Sequence, residues 1–292
     1  MSRSVVEQGA MPRHELRAPV TSSEAAWSYK GPNLDTDERP DMKIVVLGGT
    51  GMIGSKVIAN LTERGHEAVA ASPDTGVNTV TGEGVADALR GADVVVDVTN
   101  SPSWDEQAVR HFFVTSTGNQ LAAEEAGGVG HHVVLSIVGA DQEPESGYLR
   151  AKVAQENVVK ESGRPYTIVR STQFCEFVRS IAEAGAEGDI IRLTNAYFQP
   201  IAADDVARLL TEAIVAPPAN ATIEIGGPEA IPLDELARRT LAHDGDPRTV
   251  VTDPEAPYFG AKVGERALTP GADARLGEVR FDDWLANNVP PK

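Results

Sequence analysis

Three side chains near the middle of the chain have the types that a proton transfer needs. Tyr148 and Lys152 stand four residues apart, so a helix through them puts both on one face. A phenol with a pKa near ~10 is a poor donor to an alkoxide-like oxygen at neutral pH, and a cation beside it stabilises the phenolate and lowers that value. The pair is then a usable general acid and base. Ser136 closes an apolar run twelve residues before Tyr148, where a hydroxyl suits a carbonyl on which negative charge develops. A Tyr-x-x-x-Lys spacing arises by chance about 0.1 times in a chain of this composition, so the spacing alone proves little. Its position carries the weight.

That position is one strand and one loop downstream of a nucleotide-binding pattern. Ile44, Val45, Val46 and Leu47 form a short, largely β-branched apolar run, which suits a strand buried on both faces of a parallel sheet. From Met52 to Arg64, Ile53, Val57, Ile58 and Leu61 form a helical stripe that stops at Gly65. Gly48, Gly51 and Gly54 lie between and into these elements. The segment Gly48, Gly49, Thr50, Gly51, Met52, Ile53 and Gly54 is therefore the expected diphosphate cradle. Free amides and the positive end of a helix dipole must approach the phosphates closely, and a Cβ would obstruct them. A triphosphate loop does not fit. Gly49 and Gly54 have its spacing, but Ser55 stands where the lysine belongs, and Lys56 comes one place late.

The elements around these residues alternate. Further strands are expected at Glu67–Ala71, near Val77–Val80, at Asp93–Val98, at Val133–Ile137 and at Tyr166–Val169. Helices are expected at Gly84–Arg90, about Asp105–Glu125 and Tyr148–Glu161. This alternation predicts right-handed crossovers and a doubly wound, Rossmann-like parallel sheet. Past Ser171 the regularity loosens, and residues 171–290 are expected to supply most of a smaller substrate-side lobe. Residues 1–41 carry four prolines and no sustained apolar period, as in a disordered leader ahead of a 42–290 domain.

Composition narrows the partners. A net charge of −17 and a pI near 4.7 oppose contact with nucleic acid or anionic membranes, leaving a small-molecule substrate. One cysteine cannot form an internal disulfide, no segment approaches the ~20 apolar residues of a span, and no signal-peptide pattern is present, so the expected compartment is the cytoplasm. His131 and His132 adjoin on a strand and point to opposite faces, which excludes joint metal chelation, and no metal site is expected. Cys175 reads as a packed thiol, Phe112 and Phe113 as core or a helix seam, and Asp204 and Asp205 as charges favourable to a helix N-terminus.

Taken together, GGTGMIG, Ser136, Tyr148 and Lys152 resemble the short-chain dehydrogenase/reductase superfamily, and more closely its atypical NmrA-like and isoflavone-reductase-like branch. RPYTIVRSTQF at 164–174, PIAADDVA at 200–207 and IGGPEAIPLDELA at 225–237 extend the match over roughly residues 43–290. The resemblance implies hydride transfer from NAD(P)H to a carbonyl, enone or quinone-like molecule. Tyr148 would be the acid/base, Lys152 would also bind the nicotinamide ribose, and Ser136 would orient the carbonyl. Asn100 would lie along the cofactor, and Ser171 and Phe174 would border the nicotinamide. The branch also contains members that bind dinucleotide without turnover, so an NmrA-like sensor is the alternative; a sugar-nucleotide epimerase is a third. The end of the second strand offers Ala71 and Ser72, with Asp74 nearby and no Lys or Arg from 65 to 89, which leaves NAD and NADP both open.

Met42 directly precedes the first strand, so the expectation is a translation start there and a dispensable leader. Deleting residues 1–41 is expected to leave folding and coenzyme affinity intact. Circular dichroism and a coenzyme titration on the truncated chain check this, and loss of either would make the leader part of the domain.

Overall fold

Ile44, Val45, Val46 and Leu47 are wholly buried because their strand runs inside a parallel sheet with a neighbour on each side. A computed structural model of the 292-residue chain describes residues 41–142, 145–258 and 260–288. Apart from Asp41, the expected leader lies outside the described residues. The first half runs β1 (Lys43–Leu47), α1 (Met52–Glu63), β2 (Glu67–Ala71), α2 (Val85–Ala88), β3 (Val94–Asp97), α3 (Glu106–Gly127), β4 (His131–Ile137), α4 (Gly147–Glu161) and β5 (Tyr166–Ser171). The second runs α5 (Val178–Ala184), β6 (Ala186–Glu187), β7 (Ile190–Leu193), β8 (Tyr197–Phe198), α6 (Ala203–Val215), β9 (Ala221–Gly226) and β10 (Ile231–Pro232). It closes with α7 (Leu233–Asp244), β11 (Thr249–Thr252), β12 (Arg275–Leu276) and α8 (Phe281–Asn287).

Seven parallel strands in the order β12-β9-β5-β4-β3-β1-β2 form the main sheet. The chain first moves outward from β1 to β2 and then returns past β1 to β3. The order therefore reverses beside β1, and ligands of open α/β sheets bind at such a reversal. Helices α2, α3 and α4 cover one face, and α1 and α6 cover the other. On the first face Val45, Leu47 and Val95 pack against Val85 and Leu89.

One expectation is corrected. Val77–Val80 is not a strand. The Asn78 Oδ1 accepts from the N–H groups of Val80 and Thr81, and Asn119 of α3 donates to the carbonyls of Thr79 and Val80, both at 2.9 Å. Side-chain amides thus take backbone groups that a sheet neighbour would have taken. Residues 171–290, expected to supply most of a smaller lobe, divide between two places. β9 and β12 return to the main sheet and α6 covers its face, while the remaining elements build a second core around Phe198, Leu236 and Phe281 with sheets β11-β7-β6 and β10-β8. Asp205 also does more than favour the start of α6. Buried to 4% exposure, its carboxylate accepts from Arg208 and from the N–H groups of Glu278 and Val279.

A buried charge network joins α4 to the sheet. Glu156 of α4 accepts from Ser136 on β4 at 2.7 Å, twice from Arg170 on β5 at 2.8 Å, and from Lys160 at 3.1 Å. Burial would raise the Glu156 pKa, but the hydrogen bonds from Arg170 and Ser136 override it and hold the carboxyl below its usual range. Removing one partner of such a pair leaves a charge buried without compensation. Arg170→Ala is expected to lower stability by ~3–5 kcal/mol in urea denaturation. Because the folded pKa of Glu156 is depressed, its contribution is present above the unfolded value of about 4.3 and is lost as pH falls through the folded one.

Candidate active site

The loop from β1 to α1 turns at Gly48, whose φ of +80° is a left-handed conformation that favours glycine. A Cβ on Gly54 would lie 2.3 Å from the Gly48 carbonyl oxygen, so only glycine lets the helix start this close to the strand. Gly51 caps α1 without a side chain, and no acidic residue occupies the first turn. The first amides of α1 have no partner within the helix, which is the environment a diphosphate takes. Gly49 serves packing instead: a Cβ there would meet Ala70 Cα on β2 at 2.8 Å.

A cavity of about 1150 Å³ opens at the carboxyl ends of the strands and runs from this loop to Tyr148. It exceeds the ~300–1,000 Å³ of a site for one small molecule, leaving room for a dinucleotide with a second ligand beside it. Of the residues expected from the sequence, Gly48, Thr50, Gly51, Met52, Ile53, Gly54, Ser72, Asn100, Ser136, Tyr148, Lys152, Ser171 and Phe174 line it, and Gly49 does not. Asn100 follows the third strand, not the fourth, since Val77–Val80 is a loop.

The candidate side chains are held by different partners. Tyr148 donates from its hydroxyl to Asn100 Oδ1 at 2.9 Å, with its ring centroid 5.4 Å from that of Trp104 and 6.0 Å from that of Phe113. Burial pushes its pKa up to about 12, and the Asn100 bond only partly opposes this. The anticipated lowering by Lys152 is absent because the ammonium is engaged elsewhere. Lys152, 3% exposed, donates to the Leu135 carbonyl at 2.9 Å and to Gln155 Oε1, and its Nζ lies 4.4 Å from the Phe113 ring centroid. Gln155 passes the contact on to Asp97 Oδ2 at 3.0 Å. Burial lowers the Lys152 pKa to about 8, against the opposing pull of Asp97 and Glu156. Ser136 gives its proton to Glu156, so in this arrangement its hydroxyl accepts but does not donate toward the cavity.

Sequence reading missed several parts. Gln155 and Asp97 bear on Lys152; the i, i+3 spacing of Lys152 and Gln155 on α4 was the available signal. Trp104, Phe177 and Ile181 line the far end of the cavity and carry no local signature. Phe113 is wholly buried under the Lys152 ammonium, while Phe112 reaches the cavity. Cys175 is wholly buried and its thiol pKa is pushed up by burial. His131 meets Thr167 at 2.8 Å, whereas His132 meets Glu124 of α3 at 2.7 Å. Among the described residues no cluster of three or more His, Cys, Asp or Glu could hold a metal ion, and no helix is long and apolar enough to cross a membrane.

Residues 48–217 match the family described as NAD(P)H-binding. The chain is 29% identical over 206 residues to the (4-alkanoyl-5-oxo-2,5-dihydrofuran-3-yl)methyl phosphate reductase of Streptomyces griseus, a match covering 64% of this chain and 69% of that one. It is 26% identical over 245 residues to the chloroplastic divinyl chlorophyllide a 8-vinyl-reductase of Cucumis sativus, covering 72% of this chain and 57% of the relative. Its fold is similar to that of a short-chain dehydrogenase/reductase superfamily protein from Agrobacterium tumefaciens with bound NAD, at a TM-score of 0.65 and 18% identity, covering 84% of this chain and 95% of that one. A glycine turn at the sheet reversal, a cavity that extends past it, and a family match over more than half of the chain converge: this protein belongs to the NAD(P)H-binding family, with a Rossmann-like fold similar to that of short-chain dehydrogenase/reductase superfamily proteins.

Proposed function

We propose that this protein reduces a small carbonyl, enone or quinone-like compound, with Tyr148 as the proton donor. The observation that carries this reading is that Tyr148 and Lys152 line the same cavity as the diphosphate cradle. Bound NAD(P)H supplies the hydride. Tyr148 turns its hydroxyl proton from Asn100 to the substrate oxygen; with a pKa of about 12 it is protonated throughout the neutral range, which suits an acid in the reducing direction. Lys152 keeps a positive charge in the same cavity, and the Leu135 carbonyl and Gln155 fix that charge in position. Both curated relatives described above are named as reductases, which supports the direction.

The aromatic wall of Trp104, Phe112 and Phe177 suits a flat, uncharged substrate. Lys152 is the one charged side chain lining the cavity among the described residues, so a nucleotide sugar would bring a second diphosphate with no countercharge. This disfavours the epimerase reading. The sensor reading keeps one supporting observation: Asn100 and Glu156 engage the Tyr148 and Ser136 hydroxyls inside the protein itself.

A panel of carbonyls and quinones separates the two. The protein is expected to oxidise NAD(P)H with at least one member, and Tyr148→Phe to lower that turnover by ~10²–10⁴-fold with coenzyme binding intact. Binding without consumption would mark a sensor, and undiminished turnover in the variant would remove Tyr148 from the mechanism. The pH dependence follows from Lys152. Its charge is present below about 8 and lost above, so kcat is expected to hold to that pH and then fall with the slope of one proton. A steady-state profile that stays flat to about pH 10 would exclude its charge from the reaction.

A further inference from the structure

We propose that the cavity takes the adenosine ribose with its 2′-hydroxyl free, so that the protein binds NAD(H) and discriminates against NADP(H). The proposal rests on the dinucleotide cradle and not on turnover.

In open parallel sheets the ribose is read at the end of the strand that follows the glycine loop and its helix. Here that end is Ala71, Ser72 and Pro73, and all three line the cavity. A 2′-phosphate needs a cation there, since its oxygens are held by charge-assisted bonds from Arg or Lys. The described lining has one cation, Lys152, and it lies beside Leu135 and Gln155 at the Tyr148 end. Asp74, two residues after Ser72, adds a like charge in the turn Pro73–Thr75.

A second observation points to the ligand that fits. Ser72 is 5% exposed, and its backbone is fully engaged: its N–H donates to Thr75 Oγ1, and its carbonyl accepts from the N–H groups of Thr75 and Val77. Its Oγ is buried without a hydrogen-bond partner. A neutral hydroxyl that both donates and accepts matches a ribose hydroxyl and gives a phosphate no charge. The loop of residues 77–81, which also lines the cavity, has no Lys or Arg, and Asn78 and Asn119 pin it to itself and to α3.

Calorimetric titration of the full chain with NADH and with NADPH, each without substrate, tests this. NADH is expected to bind about tenfold tighter or more. Asp74→Arg, at an exposed position, is expected to close that gap by about tenfold through the NADPH arm alone. Ser72→Ala should weaken NADH and leave NADPH unchanged. Equal or tighter NADPH binding to the unaltered protein overturns the proposal. Failure of both coenzymes to bind overturns it together with the cradle. Tight NADH binding with no turnover on any substrate supports it and removes only the reductase reading.

Discussion

A lysine ammonium with 3% exposure is the constraint around which this site is built. Burying such a charge without partners would cost far more than one domain's net stability, so the fold surrounds it with compensation from several elements. β4 supplies the Leu135 carbonyl, α4 supplies Gln155, α3 supplies the face of Phe113, and Gln155 relays Asp97 from the end of β3. Thr117 of α3 shares the Gln155 amide at 3.2 Å. The same ammonium thus fixes how α3 and α4 sit over the sheet, and the hydroxyl of Tyr148 one turn earlier on α4 inherits that position.

Next to it lies a second buried polar system with a different task. Ser136, Glu156 and Arg170 join β4, α4 and β5 by charge-assisted hydrogen bonds, and Asp141 extends the set at 2.9 Å from Arg170. Ser136 therefore belongs as much to the architecture as to the cavity. Strand parity explains why: His132, Val134 and Ser136 alternate onto one face, where Glu124, Val159 and Glu156 meet them from α3 and α4.

The parallel sheet was legible because buried parallel strands announce themselves as short β-branched runs, as at Ile44–Leu47 and Val94–Val96. The turn from β1 into α1 was legible because so close an approach of helix to strand demands glycine at set spacings, as at Gly48 and Gly54. The loop from Val77 to Thr81 was not, since its apolar and β-branched residues mimic a strand while Asn119, some forty residues away, decides its conformation. The Tyr148 pKa was misjudged for a related reason. Spacing puts Tyr148 and Lys152 on one face, but only the packed structure shows that the ammonium turns to Leu135 and Gln155. The return of β9 and β12 to the main sheet likewise depends on pairings across long stretches of chain.

Trp104 is 69% exposed and sits at the rim of the cavity, its ring centroid 5.4 Å from that of Tyr148. Trp284, by contrast, is 8% exposed and stacked on Phe281 in the second core. These two indoles of the described residues stand in opposite environments, one wet and one dry, so their emission differs in colour. In the chain begun at Met42, which lacks Trp27, the red-edge component of the intrinsic fluorescence therefore watches the mouth of the cavity, an optical window that the fold supplies without any attached dye.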